Sequence, residues 1–179
     1  MKPKILTDKQ HEDGYRRITT TTVGFAKTAL MSKLSPVSCR LTKRKRQGES
    51  TYAITFYYWQ RNEIHIKEGS RLLLKFEDGS IMTLRIANPI GVLENERHVQ
   101  SNLTVTYSCS PSYSMTEEQL LKITCQEVVK LRMEIDTGEG YVDVSTDNTK
   151  GLFFSDTLRE CYYAISEKEK QSNGLYDGF

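Results

Sequence analysis

Apolar and polar residues alternate along much of the chain, which is the pattern of β-strands with one buried face. The run 52–59 carries bulky side chains at both even-numbered and odd-numbered positions. Its first face holds Tyr52, Ile54, Phe56 and Tyr58. Its second face holds Thr55, Tyr57 and Trp59. We therefore expect a strand that is covered on both faces.

The segment RLLLKFEDGSIMTLRI, residues 71–86, predicts a β-hairpin. A two-residue Asp78-Gly79 loop would place polar residues opposite apolar ones on each face. A three-residue loop over 77–79, with Gly79 in the left-handed conformation, keeps the faces uniform. The cross-strand pairs it predicts are Leu74 with Met82 and Leu72 with Leu84. Lys75 and Arg85 then point to solvent.

Further strands follow from the same alternation. We expect strands over 38–43 and 52–59, joined by a loop that contains the polar stretch RKRQGES. Strands are also predicted over 103–109, over 129–135 and over 141–145, and the polar connection that follows Pro89 leaves room for a short edge strand.

Two helices are predicted. Thr116 is a suitable N-cap with Gln119 at the capping-box position, and Leu121, Cys125 and Val128 follow at helical spacing. The second helix is expected over 150–170. Its apolar stripe consists of Phe154, Leu158, Cys161, Tyr162 and Ile165. This stripe should lie across a sheet.

The pattern predicts an α+β fold, in which an antiparallel sheet or sandwich of about eight to nine strands packs against one short helix and one long carboxyl-terminal helix. We expect a single domain over 1–179 and leave open whether 1–35 and 171–179 are peripheral to it. The predicted core consists of Ile54, Phe56, Leu72, Leu74, Met82, Leu84, Leu131, Met133, Val142, Val144, Leu158 and Ile165.

Three segments carry a resemblance: IKEGSRLLLKFEDGSIMTL, YSMTEEQLLKI and VVKLRMEID. Their order resembles uncharacterised bacterial proteins in which a lysine-glycine lead precedes an LLLK strand, a T-E-E-Q-L helix start and a strand with alternating basic residues. The resemblance covers roughly residues 64–136, and the first sixty residues show no such match. Because that family has no assigned activity, the resemblance implies an order of elements and no function.

The charge is unevenly distributed although the net charge is only +2. Residues 1–67 carry fourteen Lys or Arg and five Asp or Glu, whereas residues 68–179 carry eleven and eighteen. Either one end of the molecule presents a basic surface, or the two halves fold together and their charges interleave.

The sequence predicts a cytoplasmic protein with no membrane association. The basic residues near the amino terminus are not followed by an apolar stretch of the length that a secretory signal or a membrane span needs. The four cysteines are widely spaced and form no C-x-x-C pair. We expect Cys109 and Cys161 to be buried, reduced thiols.

No catalytic, metal or cofactor motif is present in the sequence, so none of these functions is predicted. The histidines His11, His65 and His98 lie in no nucleophile, base and acid signature, and His65 is expected to face solvent. The glycines form neither a P-loop nor a dinucleotide fingerprint. An enzyme assembled from scattered residues such as His98, Glu94 and Tyr107 is a residual hypothesis.

One cluster suggests a binding function. Lys43, Arg44, Lys45 and Arg46 lie beside the strand that carries Tyr57 and Trp59. Cations that contact phosphates, next to aromatic rings on which bases stack, are what single-stranded nucleic-acid binding requires. The alternative is a solvated basic loop above aromatics that pack in the core.

Without a reaction centre, the sequence favours a non-catalytic interaction or scaffolding module that binds protein partners or self-associates, with an edge strand or an aromatic patch as its contact surface. Single-stranded nucleic-acid binding through residues 43–46 and the adjacent aromatic strand is the alternative.

Overall fold

The structure is a computed structural model, and it describes residues 2–28, 35–60, 65–87, 96–99, 105–134, 140–145 and 149–174. These residues form fourteen strands and two helices. The strands are β1 Ile5–Gln10, β2 Arg16–Thr20, β3 Val23–Gly24, β4 Ala26–Thr28, β5 Ser35–Arg46, β6 Glu49–Gln60, β7 Arg71–Phe76, β8 Ile81–Ile86, β9 Glu96–Val99, β10 Val105–Cys109, β11 Ser112–Met115, β12 Val128–Glu134, β13 Tyr141–Ser145 and β14 Thr149–Leu152. The helices are α1 Glu117–Cys125 and α2 Phe154–Gly174. The predicted α+β class is confirmed, with more strands than the eight to nine expected.

Twelve of the described strands form one antiparallel sheet. Its main order is β1-β2-β5-β6-β11-β8-β7-β12-β13. Strand β3 pairs with β5, β10 pairs with β6, and β9 pairs with β10 as the short edge strand that the sequence left room for. Strands β4 and β14 form a separate pair. The long hairpin β5–β6 therefore links the amino-terminal strands to the rest of the sheet.

The β7–β8 hairpin has the predicted three-residue loop. Leu74 lies opposite Met82 and Leu72 opposite Leu84, and Lys75 and Arg85 are exposed. Gly79 has φ +84°, and its amide donates to the carbonyl of Phe76 at 3.0 Å. The prediction was correct because a loop of this length keeps apolar side chains on one face.

The β5–β6 hairpin corrects the predicted loop. Residues 43–46 belong to strand β5, and the connection is the two-residue turn Gln47-Gly48. Both turn residues have positive φ, at +49° and +88°, as the type I′ hairpin turn requires. The sequence was misread because a run of cations resembles a loop, although a strand with a wet face accommodates long charged side chains equally well.

Helix α1 begins at the predicted cap. The hydroxyl of Thr116 accepts from the amide of Gln119 at 3.2 Å, and the Gln119 side chain accepts from the amide of Thr116 at 2.9 Å. The predicted buried face was wrong: Leu121 and Cys125 are exposed, and Val128 belongs to β12. The face that packs inward holds Leu120, Ile123 and Thr124. The predicted stripe begins at Leu121 and the buried face at Leu120. One residue turns an α-helix by about 100°, so the prediction was displaced by that angle.

Helix α2 begins at Phe154, four residues after the predicted start. The residues before it form β14, which pairs with β4, and the amide of Phe153 donates to the carbonyl of Phe25 at 2.6 Å. The predicted stripe is confirmed, because Phe154, Leu158, Cys161 and Ile165 are fully buried and Tyr162 is partly buried. Neither described helix has both the length and the apolarity that crossing a membrane demands.

The core lies between the sheet and the two helices. An aromatic cluster occupies its centre, where the ring of Phe56 contacts Phe25, Tyr113 and Phe154 at centroid distances of 5.7, 5.9 and 5.9 Å. All the predicted core residues are buried except Met82, which is partly buried. Ile18, Val23 and Phe25 are also buried, so part of the segment 1–35 belongs to the core.

Candidate binding face

The two faces of the sheet have different neighbours. Helix α2 packs on the face that carries Thr20 and Phe56: the Thr20 hydroxyl donates to Sγ of Cys161 at 3.7 Å, and the Phe56 ring stacks on Phe154. Helix α1 lies on the same side, where the Tyr52 hydroxyl donates to Glu117 at 3.0 Å. We call the opposite side the helix-free face, because both described helices lie on the other one.

Strands β1, β2 and β5 present five cations to the helix-free face. By strand alternation these are Lys9, Arg17, Arg40, Arg44 and Arg46. We call them the cationic face. Among the described residues of β1, β2, β5 and β6, one carboxylate shares this face. It belongs to Glu49, which lies opposite Arg46 beside the β5–β6 turn.

Three of these cations form a row across neighbouring strands. Lys9 lies directly opposite Arg17 in the β1–β2 pair, and Arg17 lies directly opposite Arg44 in the β2–β5 pair. Like charges in directly opposed positions destabilise a sheet. An anionic ligand across the row would relieve this repulsion.

The cations of the cationic face differ from the neighbouring cations on the helix side, which form ion pairs with carboxylates. On the helix side, Arg16 bonds Asp8 at 2.9 Å and Lys43 bonds Glu169 at 2.8 Å. The hydrogen bond from Arg16 holds the pKa of Asp8 below its usual value. None of the ion pairs among the described residues includes a cation of the cationic face. On the helix side, Lys43–Glu169 joins the basic and the acidic halves of the chain, and Arg16–Asp8 lies within the basic half.

Two guanidinium groups of the cationic face keep hydrogen-bonding capacity inside the fold. The Nε atoms of Arg17 and Arg40 are buried, and neither has a hydrogen-bond acceptor in the described chain. The guanidinium carbon of Arg40 lies 5.3 Å from the centroid of the Tyr57 ring, which holds the side chain against the sheet. Buried donors of this kind normally have an acceptor, so both Nε atoms are unsatisfied donors inside the fold.

Small side chains form the floor between these arginines. The floor consists of Thr19, Thr42, Ala53 and Thr55, each less than a tenth exposed. The hydroxyls of Thr19 and Thr42 lie 3.3 Å apart, and Thr55 is hydrogen-bonded to Ser112 at 3.1 Å. The floor is thus polar, low and buried, and its threonine hydroxyls are already hydrogen-bonded within the sheet.

Carboxylates pair with three cations on the far half of the same face. Arg71 donates to Glu134 at 2.8 Å, and Asp143 accepts from Arg132 at 2.8 Å and from Lys130 at 2.6 Å. Burial alone would raise the pKa of Asp143, but these two bonds outweigh it and the pKa is lowered. The cationic face on β1, β2 and β5 differs in that none of its cations belongs to an ion pair of the described residues.

The structure separates the residues that the sequence grouped as a nucleic-acid site. Lys43 is 9% exposed on the helix side, where its ammonium lies 5.5 Å from the Tyr52 ring centroid, and Lys45 has the same parity. Arg44 and Arg46 lie on the cationic face.

The predicted aromatic partners also differ from the expectation. Tyr57 lies on the helix-free face, but the register pairs Arg44 with Thr51, which places Tyr57 about 20 Å further along the strand. The side chain of Trp59 is outside the described residues. Sequence reasoning missed Lys9, Arg17 and Arg40. Alternation along β5 gives Arg40 the parity of Arg44, whereas Lys9 and Arg17 join them only through the pairing of β1, β2 and β5.

The structure describes two of the three residues of the residual enzyme hypothesis, and it places His98 and Tyr107 on opposite faces of the β9–β10 pair. The Nε2 atom of His98 lies 2.8 Å from the hydroxyl of Ser108 and 3.8 Å from a carboxylate oxygen of Glu96. Tyr107 pairs with Arg97, so its side chain is on the opposite face of β10 from Ser108. Glu94 is outside the described residues.

Carboxylates gather at one shallow cleft of about 410 Å³. Its lining consists of Glu77, Asp78, Cys125, Gln126 and Glu127. Asp78 is engaged by the amide of Ser80 at 2.8 Å, which caps the β7–β8 turn. No group of three or more His, Cys, Asp or Glu side chains in the described part of the chain is placed to hold a metal ion.

The four cysteines are free thiols, and three of them are buried. Burial raises the pKa of Cys109 to about 12 and that of Cys161 to about 11, and burial also raises the pKa of Cys39. The exposed thiol is Cys125. Buried thiols with raised pKa values are poor nucleophiles. The three buried cysteines should therefore react slowly in the folded protein and faster once it is unfolded.

We therefore expect one fast-reacting thiol in the native protein. A disulfide exchange reagent such as 5,5′-dithiobis(2-nitrobenzoate) at pH 8 should label one cysteine rapidly and the other three after denaturation. The Cys125→Ser variant should lose the fast phase. Rapid labelling of any thiol in that variant would contradict the burial of Cys39, Cys109 or Cys161.

No family model, curated protein or solved structure matches this chain. The site is therefore interpreted from its own geometry.

Proposed function

We propose that this protein is a non-catalytic interaction module that binds an anionic macromolecule on the cationic face. The observation that carries the proposal is the row Lys9, Arg17 and Arg44, in which like charges lie opposite one another on three adjacent strands. A fold that keeps such a row without a carboxylate beside it leaves the favourable electrostatic contact to a partner.

The exposed apolar side chains give less support to a contact surface made of aromatic or aliphatic residues. Among the residues that the structure describes, the large exposed apolar side chains are Leu6, Ile81, Val99, Leu121, Tyr141, Phe153 and Tyr163. They are distributed over six different strands and helices and the residue before α2. Isolated apolar residues are ordinary on a protein surface, whereas an interface between proteins has a contiguous apolar centre.

The likeness of residues 64–136 to uncharacterised bacterial proteins concerns a different part of the molecule. It covers the β7–β8 hairpin, α1 and β12, whereas the cationic face is built from β1, β2 and β5. We propose that the likeness reflects a shared scaffold. The binding role of the cationic face rests on its own residues.

A polyanion column tests the proposal. We expect the protein to be retained on immobilised heparin and the Arg17→Gln/Arg44→Gln variant to elute at lower salt, because two contacts with the polyanion are lost. The matched control is Lys45→Gln/Lys170→Gln, which removes the same charge from exposed positions on β5 and α2. Equal elution of the two variants would show that net charge alone acts and would overturn the proposed role of this face.

A further inference from the structure

We infer that the anionic partner is a single-stranded nucleic acid, an inference that rests on the proposed function and names its ligand. Four of the five cations of the cationic face are arginines. A planar guanidinium binds a phosphate through two parallel hydrogen bonds, which lysine does not do. Each guanidinium also carries four N–H donors on its two terminal nitrogens, which can make this contact.

The spacing of the cations suits an extended strand. Positions two apart along β5, such as Arg44 and Arg46, are separated by about 6.8 Å, and neighbouring strands lie about 4.8 Å apart. The row Lys9, Arg17 and Arg44 thus spans about 10 Å across the sheet, and Arg40 lies about 13 Å along β5 from Arg44. Successive phosphates of an extended strand can reach these groups in turn.

The composition of the cationic face favours a nucleic acid over an acidic protein. Its accessible side chains are cations, and the small residues between them are buried. A protein partner would need an apolar centre at the interface, which the floor does not provide. Tyr57 adds an aromatic ring at the Arg40 end, where a base can stack.

The shape of the surface favours a single strand over a duplex. Reading a duplex requires an element that enters a groove, such as a helix or a protruding two-stranded ribbon. The cationic face is instead the broad surface of a sheet, with long side chains around a low floor. A flexible single strand can follow this surface and expose its bases to Tyr57.

Fluorescence anisotropy with a labelled 20-nucleotide oligonucleotide, as DNA and as RNA of mixed sequence, tests the inference. At about 50 mM KCl we expect binding at micromolar protein, with an affinity that falls steeply as salt is raised. Arg17→Gln/Arg44→Gln should bind roughly 10-fold or more weakly, and the slope of log K against log salt should be shallower by about 1.4. Lys45→Gln/Lys170→Gln should keep the slope of the wild type.

Binding of poly-glutamate, heparin and a duplex distinguishes the proposed function, which is binding of an anionic macromolecule, from the inference that the macromolecule is a single-stranded nucleic acid. If poly-glutamate or heparin binds with the same sensitivity to Arg17→Gln/Arg44→Gln while the oligonucleotide does not bind, the nucleic-acid inference is overturned and the proposed function stands. If the duplex binds as tightly as the single strand, the preference for single strands is overturned. If no polyanion binds, both are overturned. An equal loss in the two charge-matched variants would overturn the role of this face.

Discussion

Replacing Phe56 with alanine is expected to lower the free energy of unfolding by about 4 kcal/mol, the largest effect we predict for a single substitution. The ring is fully buried and contacts Phe25, Tyr113 and Phe154, which come from three separate segments of the chain. Its removal leaves a cavity that these rings cannot all move to fill. For a chain of this size, the melting temperature should fall by about 8–16 °C.

Urea unfolding followed by circular dichroism measures this effect. The control is Tyr163→Ala, because Tyr163 is an aromatic residue on α2 that is 57% exposed, and its removal should change the free energy of unfolding by less than about 0.5 kcal/mol. A loss below about 1 kcal/mol for Phe56→Ala would show that the aromatic cluster does not hold the sheet to α2.

The second large effect is expected from the ion pair that joins Lys43 on β5 to Glu169 on α2. Substitution Glu169→Leu should lower the free energy of unfolding by about 2 kcal/mol, since it leaves the ammonium of Lys43 nearly buried without its carboxylate. The value is below that of a fully buried pair because the Glu169 side chain keeps 21% exposure.

A double-mutant cycle isolates this interaction. The variant Lys43→Met/Glu169→Leu should recover most of the loss, because methionine fills the space beside Tyr52 without a charge. We expect the loss in free energy of unfolding for the double variant to be smaller than the sum of the losses for the two single variants by about 1–2 kcal/mol. Strict additivity in urea unfolding would mean that the ion pair makes no net contribution.

Local rules recovered most of the secondary structure. The β7–β8 loop was predictable because only one loop length keeps Leu72 and Leu74 on the same face as Leu84. The cap at Thr116 was predictable because two side chains satisfy each other's backbone amides within four residues. The apolar stripe of α2 was predictable because it is a single continuous face.

The candidate site was less predictable because it depends on long-range pairing. The sequence places Lys43 and Arg44 side by side, yet the strand turns them to opposite faces, and Glu169 that neutralises one of them lies 126 residues away. Arg17 joins Arg44 only through the β2–β5 register. Likewise, the start of α2 was misplaced because β14 is defined by its partner β4. A local pattern contains none of these partners.

The position of α2 has a consequence for synthesis on the ribosome. Thr20 and Cys161, which meet in the core, are 141 residues apart in the chain. The apolar face of the first strands therefore has no packing partner on α2 from the time these strands leave the exit tunnel until α2 emerges. Because exposed apolar surface on an incomplete chain favours aggregation, we expect a chain truncated before α2 to be more prone to aggregate than the full chain.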